Sequence, residues 1–138
     1  MDLSYLILDS HCMQSKHNAV LFDMGCASFH SMQTTKASGN KDSIPLLINM
    51  YKKSCIAFEK IWAWESRKYN NWWRNVPHSL QSSVSFFNEA MNASSFETAL
   101  LTTSVHDYVV VKLDIDNTIA EMTIIDVIIE HSKLVDVL

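Results

Sequence analysis

The chain has 138 residues, the size of a single domain, with a hydrophobic fraction of 48% and only two glycines and two prolines. This composition excludes a disordered or collagen-like chain. The net charge of −4 gives no general attraction to nucleic acid, so no nucleic-acid partner is expected. No apolar stretch reaches the about 18–20 residues of a membrane span, so no membrane partner is expected either.

Three widely spaced cysteines, Cys12, Cys26 and Cys55, contain no CxxC pair. This spacing indicates neither a disulfide framework nor a zinc knuckle, and we expect reduced thiols in an intracellular, cytoplasmic protein. His11 and His17 flank Cys12, but three potential ligands without a fourth do not define a metal centre. No metal site is therefore predicted.

Four short apolar runs are each followed by a polar or acidic residue. The runs are Ala19–Phe22, Ala57–Trp64, Val84–Phe87 and Tyr108–Leu113. Successive β-branched residues, as in the last run, are typical of strands covered on both faces of a parallel sheet. Ligands of such sheets bind beyond the carboxyl ends of the strands. That edge is expected to carry Asp23, Glu65, Asn88, Asp114 and Asp116.

Helical patterns fall between the runs. After the first run a helix can begin at Asp42 or Ser43, with Pro45 in its first turn. Short helical turns are expected at 71–76 and 77–82, and a short helix at Ser95–Thr103. The final helix is predicted to present a polar face with Thr123, Asp126 and Glu130 opposite an apolar face with Met122, Ile125, Ile128 and Ile129.

The resulting order, β-α-β-α-β-α-β-α, predicts an α/β fold with a doubly wound, mainly parallel sheet of four to five strands. The fifth strand would begin within Leu134–Leu138. Residues 1–18 are interpreted as a leader and residues 19–138 as the domain. Of the connections, Ser31–Asp42 is the most polar and loop-like.

Two acidic positions at strand ends have both a ligand-binding and an ordinary interpretation. Asp23 precedes Met24-Gly25, where a glycine permits a sharp turn and close ligand approach, although an ordinary turn would look the same. The segment is not a GxGxxG fingerprint, since Ala27 and Ser28 follow. Glu65 can bind both hydroxyls of a ribose, or it can be a solvated acid that pairs with Arg67 or Lys68.

The segment Asp114-Ile115-Asp116-Asn117-Thr118 resembles the DxDxT motif of haloacid-dehalogenase-type phosphatases. That resemblance implies a nucleophilic Asp114, an acid/base Asp116 and a Mg²⁺ ion that offsets the charge. Alternate residues that leave a strand point the same way, which suits these roles. The 20 residues after Thr118, however, hold only one lysine and one acid beyond the final helix, fewer than such a phosphatase requires.

A second resemblance covers about residues 19–138. Four segments follow in order: VLFDMG at 20–25, FEKIWAWE at 58–65, VSFFN at 84–88 and VVVKLDID at 109–116. In this succession they resemble Rossmann-like methyltransferases, and most closely the FkbM-type branch. That branch carries an FDxG first strand, a WE second strand and a VKxDI(D/E) fourth strand.

This resemblance implies a Rossmann-like fold, the cofactor S-adenosylmethionine and methyl transfer to an unknown acceptor. Carried over by position, Asp23 and Gly25 would form the cofactor loop, Glu65 would hold the ribose and Asn88 would lie near the adenine. Asp114 and Asp116 would face the methionine end or the acceptor. With a hydroxyl acceptor, Asp116 is the candidate base.

The chain also departs from the branch. Its glycine-rich loop keeps only Gly25, and Asn117-Thr118 replaces the small residue after the fourth-strand acid. The family fold has seven strands, whereas this sequence is expected to reach the fifth. We therefore expect a fragment, a non-catalytic degenerate copy, or a subunit that forms a homo-oligomer through an exposed sheet edge.

Overall fold

The computed structural model describes residues 18–29 and 42–138. Within these ranges the strands are β1 (Ala19–Met24), β2 (Phe58–Trp64), β3 (Val84–Phe87) and β4 (Tyr108–Leu113). The helices are α1 (Ser43–Lys52), α2 (His78–Gln81), α3 (Ala93–Leu100) and α4 (Thr118–Glu130), with 3-10 turns at Trp72–Asn75 and Ser132–Leu134. The predicted alternation is confirmed. The leader up to residue 17, with His11, Cys12 and His17, and the polar stretch 31–41 lie outside the described residues.

The four strands form one sheet in the order β3-β2-β1-β4, and every neighbouring pair is parallel. All six residues of β1 are buried, as expected for a central strand that helices cover on both faces. This is the doubly wound, Rossmann-like arrangement expected from the sequence. Nucleotide-binding folds of several kinds share the order, so it defines the fold and not a reaction. The order reverses between β1 and β4, which makes their carboxyl ends the switch point.

Two apolar clusters lie on opposite faces of the sheet. Alternate residues of β1 point to opposite faces, so Leu21 joins one cluster while Val20 and Phe22 join the other. The first cluster receives side chains of α1, and the second receives side chains of α3 and α4. This double burial explains why the strands read as continuous apolar runs and not as alternating patterns.

The orientation predicted for α4 is partly wrong. Ile124 and Ile128 are the buried residues of the helix, whereas Met122 and Ile129 are 55% and 66% exposed. The cause is that apolar residues surround most of this helix, so periodicity does not single out one face. Contact with the sheet selects the face instead. The polar residues predicted to face solvent, Thr123, Asp126 and Glu130, are exposed.

Residues beyond α4 pair with the outer edge of β4. Val137 forms a parallel bridge with Val110, and the Val111 N–H donates to the Val137 carbonyl at 2.8 Å. The Asp136 N–H donates to the Val109 carbonyl at 2.9 Å. A single bridge therefore stands where the fifth strand was expected, and it covers part of this edge. Homo-oligomerisation through a sheet edge stays a prediction.

The cysteines differ from the sequence expectation. Cys26 is a buried free thiol whose pKa is raised by burial. Cys55 is disulfide-bonded, so the expectation of reduced thiols is wrong at this position. The error arose because pairing depends on how the fold brings distant cysteines together, which their spacing does not reveal. No helix within residues 18–29 and 42–138 is long and apolar enough to cross a membrane.

Candidate functional site

A crevice of about 550 Å³ opens at the carboxyl edge of the sheet. It runs past the ends of all four strands and includes the switch point between β1 and β4. The residues that line it are Gly25, Ala27, Ser43, Leu46, Trp64, Glu65, Ser66, Arg67, Glu89, Ala90, Met91, Lys112, Asp114, Ile115, Asp116, Asn117 and Ala120. Four of the six residues predicted for the site are among them, and Asp23 and Asn88 are not.

Gly25 brings the chain leaving β1 against the end of β4. Its φ is +84°, and a Cβ built there would lie 1.8 Å from the carbonyl oxygen of Asp114. The Gly25 N–H donates to the Trp64 carbonyl at 2.9 Å, while the Asp114 N–H donates to the Met24 carbonyl at 3.0 Å. Only glycine fits such an approach, so the sequence interpretation of a close turn is supported at this position.

Asp23 was expected in a loop after the first strand, but it lies inside β1 and has no exposed surface. One carboxylate oxygen is 3.1 Å from the Lys112 ammonium, and the other accepts a hydrogen bond from the Ser43 hydroxyl. Burial raises the pKa of Asp23, and the Lys112 ammonium opposes that rise. Asp23 is therefore part of the support beneath the crevice, and the ligand contact predicted for it stays a prediction.

Lys112 also lines the crevice, although the sequence analysis did not predict it as a site residue. Its ammonium donates to Asp23 Oδ1 at 3.1 Å and to the Gly25 carbonyl at 2.8 Å, and it lies 3.9 Å from Asp114 Oδ2. It joins β1, the turn after β1 and the end of β4. A signal was present, because a lysine interrupts an otherwise apolar buried strand. In the register of the sheet, Lys112 is paired with Asp23 of β1.

Glu65 is 8% exposed and holds two chain segments through its carboxylate. Oε2 accepts the Ala27 N–H and Oε1 accepts the Arg67 N–H, each at 2.8 Å. In the part of the chain that the structure describes, Glu65 forms no ion pair with Arg67 or Lys68, and the Lys68 ammonium donates to the backbone carbonyl of Asn88 instead. Each carboxylate oxygen has capacity for a second donor, so a ligand hydroxyl can still bind Glu65.

Asn88 ties the loop after β2 to the end of β3. Its side-chain Oδ1 accepts the Tyr69 N–H at 2.8 Å, and its side-chain Nδ2 donates to the backbone carbonyls of Glu65 and Arg67. These bonds occupy the amide, and the next residues, Glu89 to Met91, line the crevice instead. Contact between Asn88 and an adenine stays a prediction.

Asp114 and Asp116 both line the crevice, but the backbone between them is not a continuous extended strand. Asp116 has φ +52°, which ends the extended conformation. The turn is held by Asn117, whose side chain accepts the Ala120 N–H, and by Glu121, which accepts the Ile115 N–H. The Asp114 side chain is 41% exposed, so a ligand can reach its carboxylate.

Among the described residues, one group of three potential metal ligands, Glu97, Glu130 and His131, has ligand atoms within 4.8 Å of one another. None of them lines the crevice. His131 Nε2 lies 2.8 Å from Glu97 Oε1, which ties α4 to α3. In the described part of the chain, Asp114 and Asp116 belong to no such group.

Trp64 lines the crevice beside Glu65 and is packed against other aromatic rings. Trp64 is 2% exposed and stacks on Phe87, with ring centroids 5.0 Å apart and an interplanar angle of 16°. Trp62 stacks on the same phenylalanine at 6.1 Å. The stacked rings of Trp62 and Phe87 support Trp64, which gives the crevice an apolar surface next to Glu65.

Comparison with family models, curated protein sequences and solved structures finds no match to this chain. The fold class consequently rests on the sheet order and burial described above. Because one fold can host many activities, the crevice is the feature that can indicate a function.

Proposed function

We propose that the protein binds S-adenosylmethionine in this crevice and transfers its methyl group to an acceptor. The observation that carries the proposal is the position of Glu65. A buried acid at the end of β2 lines a crevice at the switch point, where a ribose with two hydroxyls can meet one carboxylate. Its two backbone donors fix its orientation before any ligand arrives.

The shape and composition of the crevice suit the rest of that cofactor. Its volume of about 550 Å³ lies in the ordinary range for small-molecule sites. Ser66, Arg67 and the segment from Glu89 to Met91 surround the side next to Glu65, where an adenine would lie. Gly25, Lys112 and Asp114 surround the other side, where the sulfonium and the amino-acid end would lie. The carboxylate of Asp114 is suited to a cationic sulfonium.

Methyl transfer is an in-line displacement, so it does not require a nucleophile from the protein. When bound, the cofactor supplies an activated methyl group, and the protein must place an acceptor in line with it. Asp116 is exposed and lines the crevice, and its carboxylate is the candidate to take a proton from a hydroxyl acceptor. The alternative role is non-catalytic, and it predicts no binding or binding without turnover.

Calorimetric titration with S-adenosylhomocysteine tests the proposal. We expect binding to the wild-type chain and a loss of about tenfold or more in Glu65→Gln, since one charge-assisted hydrogen bond contributes about 1.5–3 kcal/mol. Glu130→Gln, an exposed acid of α4 outside the crevice, is the matched control and should bind like wild type. NAD is the control ligand, because dinucleotide-binding folds share this strand order.

A folded wild-type protein that does not bind S-adenosylhomocysteine would overturn the proposal. Thermal unfolding of each variant establishes that lost binding is not lost folding. Mg²⁺-dependent hydrolysis of a generic phosphate ester, abolished in Asp114→Asn, would favour the DxDxT phosphatase instead.

A further inference from the structure

Three potential metal ligands meet where the C-terminal end of α4 lies against α3, away from the crevice. They are Glu97 of α3 and the adjacent Glu130 and His131 at the end of α4. Their ligand atoms lie within 4.8 Å of one another, and His131 Nε2 is 2.8 Å from Glu97 Oε1. The side chains of His131 and Glu97 are 21% and 39% exposed. The group therefore combines one imidazole with two carboxylates, and part of it is shielded from water.

The negative charge around this group is not balanced by basic side chains. An α-helix carries a partial negative charge at its C-terminal end, where lysine or arginine is stabilising. The last turn of α4 holds no basic residue, and Glu130 adds a full negative charge there. Within residues 18–29 and 42–138, neither Glu97 nor Glu130 forms an ion pair with a lysine or arginine. The hydrogen bond between His131 and Glu97 uses one carboxylate and leaves the second beside it, an arrangement that a bound cation stabilises.

The backbone holds the imidazole and the Glu97 carboxylate on two ordered elements. The His131 N–H donates to the Val127 carbonyl at 3.0 Å, and the His131 carbonyl accepts the Leu134 N–H at 2.9 Å. Glu97 lies inside α3, where its carbonyl accepts the Leu101 N–H at 2.9 Å. Ligands carried by helices are positioned more accurately than ligands on loops, which favours the binding of an ion between them.

We propose that Glu97, Glu130 and His131 bind one divalent transition-metal ion of the zinc type, and that this ion cross-links α3 to α4. Zn²⁺ accepts imidazole nitrogen and carboxylate oxygen at about 2.0–2.2 Å. Two such ligands on a tetrahedral ion lie about 3.3 Å apart, so His131 Nε2 and Glu97 Oε1 must separate slightly from their present 2.8 Å. The ion replaces the proton between these two atoms, which passes to solvent, and a water molecule occupies the fourth position.

The ligand set discriminates among divalent ions. Mg²⁺ and Ca²⁺ prefer coordination by oxygen alone, so an imidazole nitrogen does not suit either ion. Imidazole together with carboxylate suits Zn²⁺ and its neighbours in the first transition row. Because none of the three residues lines the crevice, this metal site is independent of the proposed function.

Titration of the metal-free full chain with Zn²⁺, followed by calorimetry and by thermal unfolding, tests this site. We expect Zn²⁺ to bind and to raise the unfolding temperature by about 5 °C or more at saturation. Glu97→Gln and His131→Gln each remove one ligand. Each should weaken Zn²⁺ binding by about tenfold or more and lose most of the rise in unfolding temperature. Mg²⁺ at the same concentration should produce neither effect.

His106→Gln is the matched control for His131→Gln. His106 is an exposed histidine in the loop before β4, and among the described residues it belongs to no group of three potential metal ligands. This variant should bind Zn²⁺ like wild type and keep the rise in unfolding temperature. Thermal unfolding of every variant without added ion shows that lost binding is not lost folding.

Three results would overturn the metal site. The first is failure of the folded wild-type chain to bind Zn²⁺. The second is Zn²⁺ binding of wild-type affinity in both Glu97→Gln and His131→Gln, because the ion would then be held elsewhere on the chain. The third is an equal rise in unfolding temperature with Mg²⁺, which would contradict the assignment to a transition metal. None of these results bears on the crevice, so the proposed function is tested separately.

Discussion

At Gly25 the chain leaves β1 with a left-handed φ of +84°, and a Cβ built there would lie 1.8 Å from the Asp114 carbonyl oxygen. Gly25→Ala must displace backbone at the end of β4 as well as strain its own conformation. We expect it to lower the free energy of unfolding by about 3 kcal/mol or more, measured by urea denaturation.

Ala27 gives this substitution a matched control, because it also has a left-handed φ, of +56°, but is not a glycine. Ala27→Gly removes strain without adding an atom, so the free energy of unfolding should stay within about 1 kcal/mol of wild type or rise. Equal losses in the two variants would indicate general sensitivity of the loop and would contradict the clash at Gly25.

At the scale of elements, α4 carries isoleucines in a buried and in an exposed position. Substituting each one compares what a buried and an exposed apolar side chain contribute to the free energy of unfolding. Ile124 has no exposed surface, whereas Ile129 is 66% exposed on the same helix. Ile124→Ala should cost about 2–5 kcal/mol of the free energy of unfolding through the cavity it leaves. Ile129→Ala should cost less than about 0.5 kcal/mol.

Urea denaturation of these two variants checks the orientation of the helix, since the substitution and the helix are the same in both. A larger loss for Ile129→Ala than for Ile124→Ala would mean that the outer face of α4 is covered in solution. That result would contradict the orientation in which Ile124 is buried and Ile129 is exposed, and it would support the orientation expected from the sequence pattern.

At the scale of the whole molecule, two buried tyrosines connect stability to alkaline pH. The rings of Tyr51 and Tyr108 lie 6.3 Å apart in the cluster beneath α1, and neither hydroxyl has a hydrogen-bond partner in the described part of the chain. Burial raises the pKa of Tyr51 to about 12 and also raises the pKa of Tyr108. The unfolded chain would ionise near the ordinary value of about 10.

A folded pKa above the unfolded one means that the native state holds the proton longer. Stability is therefore unaffected by this ionisation below about pH 10 and falls as pH rises from about 10 to about 12. Tyr51→Phe should therefore flatten the fall in stability across this range, measured by urea denaturation at each pH. At neutral pH it should not destabilise the protein, because the hydroxyl removed has no partner among the described residues.

Tyr69→Phe is the control for this prediction, as a partly buried tyrosine in the loop after β2. It should leave the alkaline profile close to that of wild type. An unchanged profile in Tyr51→Phe would contradict the role given to burial of this hydroxyl.

Much of the fold was predictable because it depends on local hydrophobicity. The bounds expected for β3 and β4 are those observed, and β2 differs by one residue at its start. Continuous apolar runs separated by helical patterns leave few arrangements other than a doubly wound sheet. The orientation of α4 was not predictable in the same way, since its apolar residues surround most of the helix and packing chooses among them.

The candidate site was predictable in its location and less so in its contacts. The positions of Gly25, Glu65, Asp114 and Asp116 at one edge follow from parallel strands that all end there. The contacts of Lys112 and Asn88 join segments about 20 to 90 residues apart, so they depend on which strands become neighbours. No local pattern carries that information.

The sequence by itself determined the strand segments, the parallel sheet and the edge on which the acids gather. The reason is that burial of apolar runs and the period of each element are local properties of the chain. Only the tertiary structure decided that Asp23 lies beneath the crevice, that Lys112 is its counter-ion and that Asn88 holds a loop. Those roles depend on the register between strands and on which groups water cannot reach, and both exist only once the sheet has formed.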